Sequence, residues 1–258
     1  MDLGLKDKVA LVTGGSRGIG RAIALGLAAE GCRVAICARG EEDLEKTLGE
    51  IRSFGAEAFG SVADVAQLQD VERFVAGSVR EFGGIDILVN NVGGSAGGSL
   101  LEASDDDWRR TFELNLFHAV RMTRAAVPLM RKRGGGAVII ISSISGWKPA
   151  PRGAQYGAAK AAEIFLAGAL AWELAGDNIR VNAICPGSIF FPGGGWERFK
   201  ARNPEAFEAF RSREFPLGRL GRPEEIANVV VFLASERASW VNSAAIPVDG
   251  AQGRPTAF

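Results

Sequence analysis

A single-domain, doubly wound α/β fold, with one parallel sheet and helices on both faces, is what the 258-residue chain predicts. Two observations carry that prediction. Short apolar runs alternate with helix-length segments along most of the chain, and the first apolar run passes at once into a glycine-rich turn that opens a helix. No repeat, low-complexity stretch or composition shift marks a linker, so residues 1–258 are expected to form one unit.

The apolar runs at residues 9–13, 33–37, 85–90, 137–142 and 180–184 have strand length and read as buried strands. Between them, residues 18–30, 41–54, 68–82, 104–130 and 154–175 have helical periodicity or composition. Strands joined through helices run parallel and are covered on both faces. Residues of about 188–216 break the alternation with Phe190, Phe191, a glycine run at 193–195, Trp196 and a charged segment with spaced phenylalanines; a short substrate lid is expected there. Residues 93–98 are expected to form a second flexible loop. Both should border the ligand crevice, which in such sheets lies beyond the carboxyl ends of the strands.

Composition narrows the function. Thirty basic residues balance thirty acidic ones, no long run of one sign occurs, and the aromatics are not interleaved with basic clusters, so neither nucleic acid nor an anionic membrane is an expected partner. No apolar run approaches the roughly 20 residues of a membrane span. The amino terminus, MDLGLKDK, lacks a basic-then-apolar leader, and a cytoplasmic location is the expectation. Cys32, Cys37 and Cys185 form no Cys-x-x-Cys pair and read as reduced core thiols. The single histidine, His118, follows Phe117 in an apolar stretch and reads as a helix residue. No metal is expected, and a Ser-His-Asp hydrolase is disfavoured.

Residues 13–20 read TGGSRGIG, directly after a strand and at the start of a helix, the context a phosphate-binding turn requires. Gly14 permits the tight turn, Gly18 the approach of backbone to a pyrophosphate, and Gly20 close packing of helix on strand. Ser16, Arg17 and Ile19 complete the turn, and the helix amino terminus offers unpaired N–H groups and a positive dipole end. NAD enzymes tend to hold the ribose hydroxyls with an acid at the end of the second strand. Here Ala38 and Arg39 stand there, and Arg39 with Arg17 could clamp a 2'-phosphate. NADP(H) is therefore favoured, with NAD(H) possible.

Tyr156 and Lys160 are four residues apart on one predicted helix and so share a face. A phenol alone exchanges protons poorly near neutrality, and a neighbouring ammonium favours its ionised form. The pair is a candidate acid-base centre.

Together these residues resemble the short-chain dehydrogenase/reductase family, in the branch of the 3-oxoacyl-[acyl-carrier-protein] reductases. The likeness spans nearly the whole chain, whose fold would then be of the Rossmann type. It includes the glycine turn, Asp64 and Val65 after the third strand, the NNVG segment at 90–93, Asn115, Ser143, Tyr156 with Lys160, and Pro186 with Gly187. The resemblance implies that Tyr156 exchanges a proton with the substrate oxygen and that Ser143, preferred to Ser142 and Ser145 because it precedes Tyr156 by thirteen residues, hydrogen-bonds that oxygen. It implies that Lys160 holds the nicotinamide ribose and that Asn115 binds a water completing a proton relay. Asp64 and Val65 would meet the adenine, Asn91 the adenosine ribose with Gly93 beside it, and Ile189, after Pro186 and Gly187, the carboxamide.

Val92 stands where the family often has alanine, Phe191 where it often has threonine, and residues 240–243 and 248–251 also depart from its pattern. The implied activity is hydride transfer between a nicotinamide and a carbonyl or secondary alcohol; a ketone, a 3-oxoacyl thioester and a sugar-like alcohol all remain open as substrates. An NAD-linked sugar or polyol dehydrogenase and a non-catalytic dinucleotide-binding regulator are the alternatives. An acyl-carrier protein could be attracted by residues 131–133 or by Arg152, and a homotetramer is implied.

Overall fold

The computed structural model describes residues 1–150 and 153–253. A seven-stranded sheet in the order β3-β2-β1-β4-β5-β6-β7 is parallel at every pairing. Its strands are β1 (Val9–Thr13), β2 (Arg33–Ala38), β3 (Ala58–Val62), β4 (Ile87–Asn90), β5 (Gly136–Ile141), β6 (Ile179–Pro186) and β7 (Ala245–Val248). The helices are α1 (Gly18–Ala29), α2 (Glu41–Ser53), α3 (Leu68–Phe82), α4 (Asp105–Phe112), α5 (His118–Lys132), α6 (Ala154–Leu174), α7 (Gly195–Arg202), α8 (Pro204–Glu214) and α9 (Pro223–Ala234).

Side chains alternate across each strand, so the central strands feed two cores. Val12, Ile36, Val89, Ile139 and Ile184 pack under α1, α2 and α9, whereas Leu11, Ala35, Leu88, Ile140 and Ala183 face α3, α5 and α6. This double coverage is why the central strands are apolar throughout. Strand order reverses between β1 and β4, and the crevice opens at that switch point.

Three features differ from the sequence reading. The edge strands β3 and β7 were not part of its apolar pattern, because each keeps one margin towards solvent and is only partly buried. The stretch expected as one helix over 104–130 is broken by a π-helical turn at Glu113–Phe117 between α4 and α5. Residues 93–98 do not form a free loop. Asn115, Thr111 and Gln155 tie them at Gly94, Ala96 and Gly98.

After β6 the chain makes an excursion through α7 and α8 that is closed at its neck. Ile189 pairs with Gly221, Phe190 N donates to Gly221 O at 2.8 Å, and Gly221 N donates to Ser188 O at 3.0 Å. Inside, Phe207, Phe215 and Leu220 form a small separate core with Phe190, Trp196, Phe199 and Phe210.

Candidate active site

The carboxyl ends of β1 to β6 line one crevice of about 990 Å³. At one end, β1 turns at Gly14, whose φ of 64° is left-handed, and α1 begins at Gly18 with no side-chain cap on its first turn. The unpaired N–H groups of that turn suit an anion. A Cβ on Gly20 would collide with Gly14 O and the Asn91 amide, so this close approach depends on glycine. Thr13 Oγ1 accepts from Asn91 N at 2.9 Å and Val92 N at 3.2 Å, and Asn91 Nδ2 donates to Thr13 O at 2.9 Å. Asn91 is thus committed to bracing the turn. Glycines that leave no room for a Cβ and a helix start without its own cap fit a dinucleotide pyrophosphate.

Arg17 and Arg39 are exposed along this end, and among the described residues neither has an acidic partner. Asp43 lines the wall beside them, with Gly40. Asp64 borders the crevice after β3, half-buried, and accepts from Ala66 N at 3.1 Å, while Val65 is buried.

At the other end, α6 starts against the turn that follows β5. Tyr156 is half-buried on the crevice wall, and Lys160 lies one turn deeper, 2% exposed, with its ammonium 5.6 Å from the Tyr156 ring centroid. Ser143 also lines the crevice, its Oγ accepting from Ser145 N at 3.0 Å. Ser142 takes a different part, because its Oγ donates to Lys160 O at 2.8 Å and so anchors α6.

Ser16, Ile19, Gly93, Pro186, Gly187 and Ile189 border the crevice with Gly14, Gly20 and Asn91. Two expected site residues do not. Gly18 lies beneath the ring of Phe191, which leaves less than 3 Å for a Cβ there. Asn115 is fully buried behind the 93–94 backbone: its amide donates to Gly94 O at 2.7 Å and Thr111 O at 2.6 Å, and its oxygen accepts from Gly94 N at 3.3 Å. The π-helical turn that carries it is a local widening of the kind found at functional sites.

Several contributors had escaped the sequence reading. Gln155 donates to Ala96 O at 2.8 Å and joins the start of α6 to the 93–98 segment. Arg110 lines the crevice mouth, and Glu163 lies buried against Lys160. A signal for Glu163 was present: it is an acid three residues after Lys160 on a helix otherwise rich in alanine and leucine.

His118 is buried, and burial, helped by the Lys160 ammonium, lowers its pKa to about 3, so its ring is neutral. The thiols of Cys32, Cys37 and Cys185 are buried and unbridged, each pushed up to about 12, mainly by burial. Arg131 and Arg133, offered as attractants for an acyl-carrier protein, are engaged by Asp177 and Asp86 and sit beside the amino end of β5, opposite the crevice. Arg152 lies outside the described residues. Among the described residues, no helix is long and apolar enough to cross a membrane.

Comparison with known proteins agrees with this fold. A family described as Enoyl-(Acyl carrier protein) reductase matches residues 14–251. Dehydrogenase/reductase SDR family member 4 of Sus scrofa is 40% identical over 249 residues, which cover 95% of this chain and 87% of that relative. The L-sorbose reductase of Gluconobacter frateurii, solved with NADPH and L-sorbose, has a TM-score of 0.95 at 38% identity, covering 99% of this chain and all of that one. A variant of actinorhodin polyketide ketoreductase solved with NADPH has a TM-score of 0.91 at 37% identity, with 96% and 98% covered. On the strength of a matched fold, a matched family and near-complete coverage, the chain belongs to the short-chain dehydrogenase/reductase family, as an oxidoreductase acting between carbonyl and CH–OH groups.

Proposed function

We propose that the chain is an NADPH-preferring reductase of a ketone carbonyl, with Tyr156 as the proton donor to the substrate oxygen. The observation that carries this reading is one crevice bearing two unpaired arginines at its nucleotide end and Tyr156, Ser143 and Lys160 at its other end. A nicotinamide dinucleotide bound there supplies the hydride. Arg17 and Arg39 would hold its 2'-phosphate, the opening turn of α1 would face its pyrophosphate, and Lys160 would meet its ribose. Asp64 and Val65 would hold the adenine, and the 187–189 turn would meet the carboxamide.

Ser143 donates a hydrogen bond to the carbonyl oxygen as charge develops there, and Tyr156 delivers the proton. Asn115 keeps the Gly93–Gly94 backbone against Lys160. The aromatic excursion over residues 188–216 is the substrate cover, with Phe191 and Trp196 on the crevice wall. A 3-oxo ester or a ketose is the substrate class the relatives favour, since a ketoreductase and a sorbose reductase both share this fold closely. The reading places the enzyme in the cytoplasm.

Replacing Tyr156 with Phe tests the mechanism. Turnover of ethyl acetoacetate and of L-sorbose with NADPH should fall by a factor on the order of 10³, in line with the loss of an acid-base group, while NADPH still binds. Retained turnover rejects the mechanism; tight binding by the unaltered chain without turnover of any carbonyl compound supports a regulator instead.

A homotetramer accompanies this proposal. Phe165, Ala169 and Trp172 form an exposed apolar stripe at helical spacing on α6, with Phe165 80% and Trp172 89% exposed. Light scattering that returns a monomer mass at assay concentration would refute it.

A further inference from the structure

A second charged residue stands directly against the proposed acid-base centre. Glu163 is fully buried on α6, and both of its carboxylate oxygens accept from Lys160 Nζ, at 3.1 and 2.9 Å. The same ammonium donates to Ile141 O at 2.9 Å, at the carboxyl end of β5. A Cβ on Gly93 would come within 3.0 Å of it, so the remaining side of the ammonium faces the crevice wall. A lysine side chain has four rotatable bonds and many accessible positions. Here two partners on separate elements leave it one.

We propose that Glu163 is a positioning residue that holds the Lys160 ammonium in place, and charged, beside Tyr156. This rests on the reading of Lys160 as the group that meets the nicotinamide ribose.

The surrounding groups support the assignment. Burial pulls the Lys160 pKa down; Glu163, with Tyr156, outweighs it and holds the ammonium above the ordinary lysine value. Burial likewise pushes the Glu163 carboxyl up, and Lys160 opposes that, with Nζ within hydrogen-bond reach of both carboxylate oxygens. The other titratable groups facing the pair are His118 from α5, kept neutral by burial, and Cys185 from β6, whose thiol is pushed up to about 12, with Asp249 beyond Cys185. None of these replaces the carboxylate. Without it, an ammonium 2% exposed keeps Ile141 O and loses the one buried carboxylate that meets it among the described residues.

The sign follows. A lysine held above its ordinary value stays charged as pH rises, and one that loses its carboxylate gives up its proton at lower pH. In Glu163→Gln, NADPH affinity, read by nucleotide fluorescence from pH 6 to 10, should fall progressively with pH relative to the unaltered protein. The deficit at the alkaline end should be at least ten times that at pH 6, and kcat/KM with ethyl acetoacetate should bend downward at a lower pH. Glu163→Asp should recover part of that shift. A Glu163→Gln profile that runs parallel to the unaltered one, weaker by a constant factor or not at all, overturns the proposal and leaves Glu163 a packing residue. Should the Gln variant not fold by circular dichroism, the Asp variant, with its shorter reach, is read against the same criterion. Failure of the unaltered chain to bind NADPH, or turnover surviving Tyr156→Phe, would instead reject the underlying reading of the site.

Discussion

The two ends of the crevice are built by opposite means. The nucleotide end is made of backbone and of missing side chains: Gly14 in a left-handed turn, Gly20 with no room for a Cβ, Thr13 and Asn91 lashing the turn to β4, and an uncapped helix start. The substrate end is made of bulk. Trp196 stacks on Phe210 at 4.8 Å, Phe210 meets Phe215 edge-on, and the excursion carrying them is joined to the sheet at a two-strand neck. A backbone cradle recognises a group common to many enzymes and tolerates no added atom, whereas a satellite aromatic core can exchange its side chains without disturbing the sheet. The first end leaves little room for variation, whereas the second can vary apart from the sheet.

The largest effect should come from adding atoms to the cradle. Gly20→Val is expected to weaken NADPH binding at least a hundredfold and to lower the melting temperature, because a Cβ alone already collides with Gly14 O. Fluorescence titration beside a thermal melt measures both, and unaltered affinity would show that the turn accommodates bulk. A smaller change is expected at Arg39, which is exposed and has no acidic partner among the described residues. Arg39→Asp should cost NADPH about tenfold or more in Kd, roughly 1.4 kcal/mol, and improve NADH relative to it. Equal losses for both nucleotides would remove the case for a 2'-phosphate clamp.

The smallest change in nucleotide affinity should come from the aromatic end. Trp196→Ala should raise KM for the carbonyl substrate several-fold while NADPH affinity stays within about twofold, since the ring packs against Phe199 and Phe210 rather than the glycine turn. Coupled losses in both would mean that the two ends act as one. Phe191 is the side chain through which such coupling would pass, since its ring touches Gly18 and Gly194.

Most of the fold was legible because a parallel sheet covered on both faces writes its central strands as unbroken apolar runs. The edge strands were not, since β3 and β7 have only half-buried and exposed positions. The π-helical turn left no mark, because one extra residue within a helix scarcely disturbs the periodicity of a segment as long as residues 104–130. Local motifs put Tyr156, Lys160 and the glycine turn where the crevice is. They could not reveal that Asn115 works from behind the wall, that Phe191 covers Gly18, or that a carboxylate lies under Lys160. Each of those depends on contacts between segments distant in sequence, or on burial that a lone acid in a helix does not announce.

Strand β7 has a consequence for how copies of this chain meet. Its even-numbered residues bond to β6: Ala244 O accepts from Ala183 N and Val248 O from Gly187 N. Pro247 therefore turns its nitrogen to the open margin of the sheet, where a ladder would need a donor and a proline has none. A ladder at this margin would lack that donor, and an edge proline of this kind blunts strand addition to the sheet.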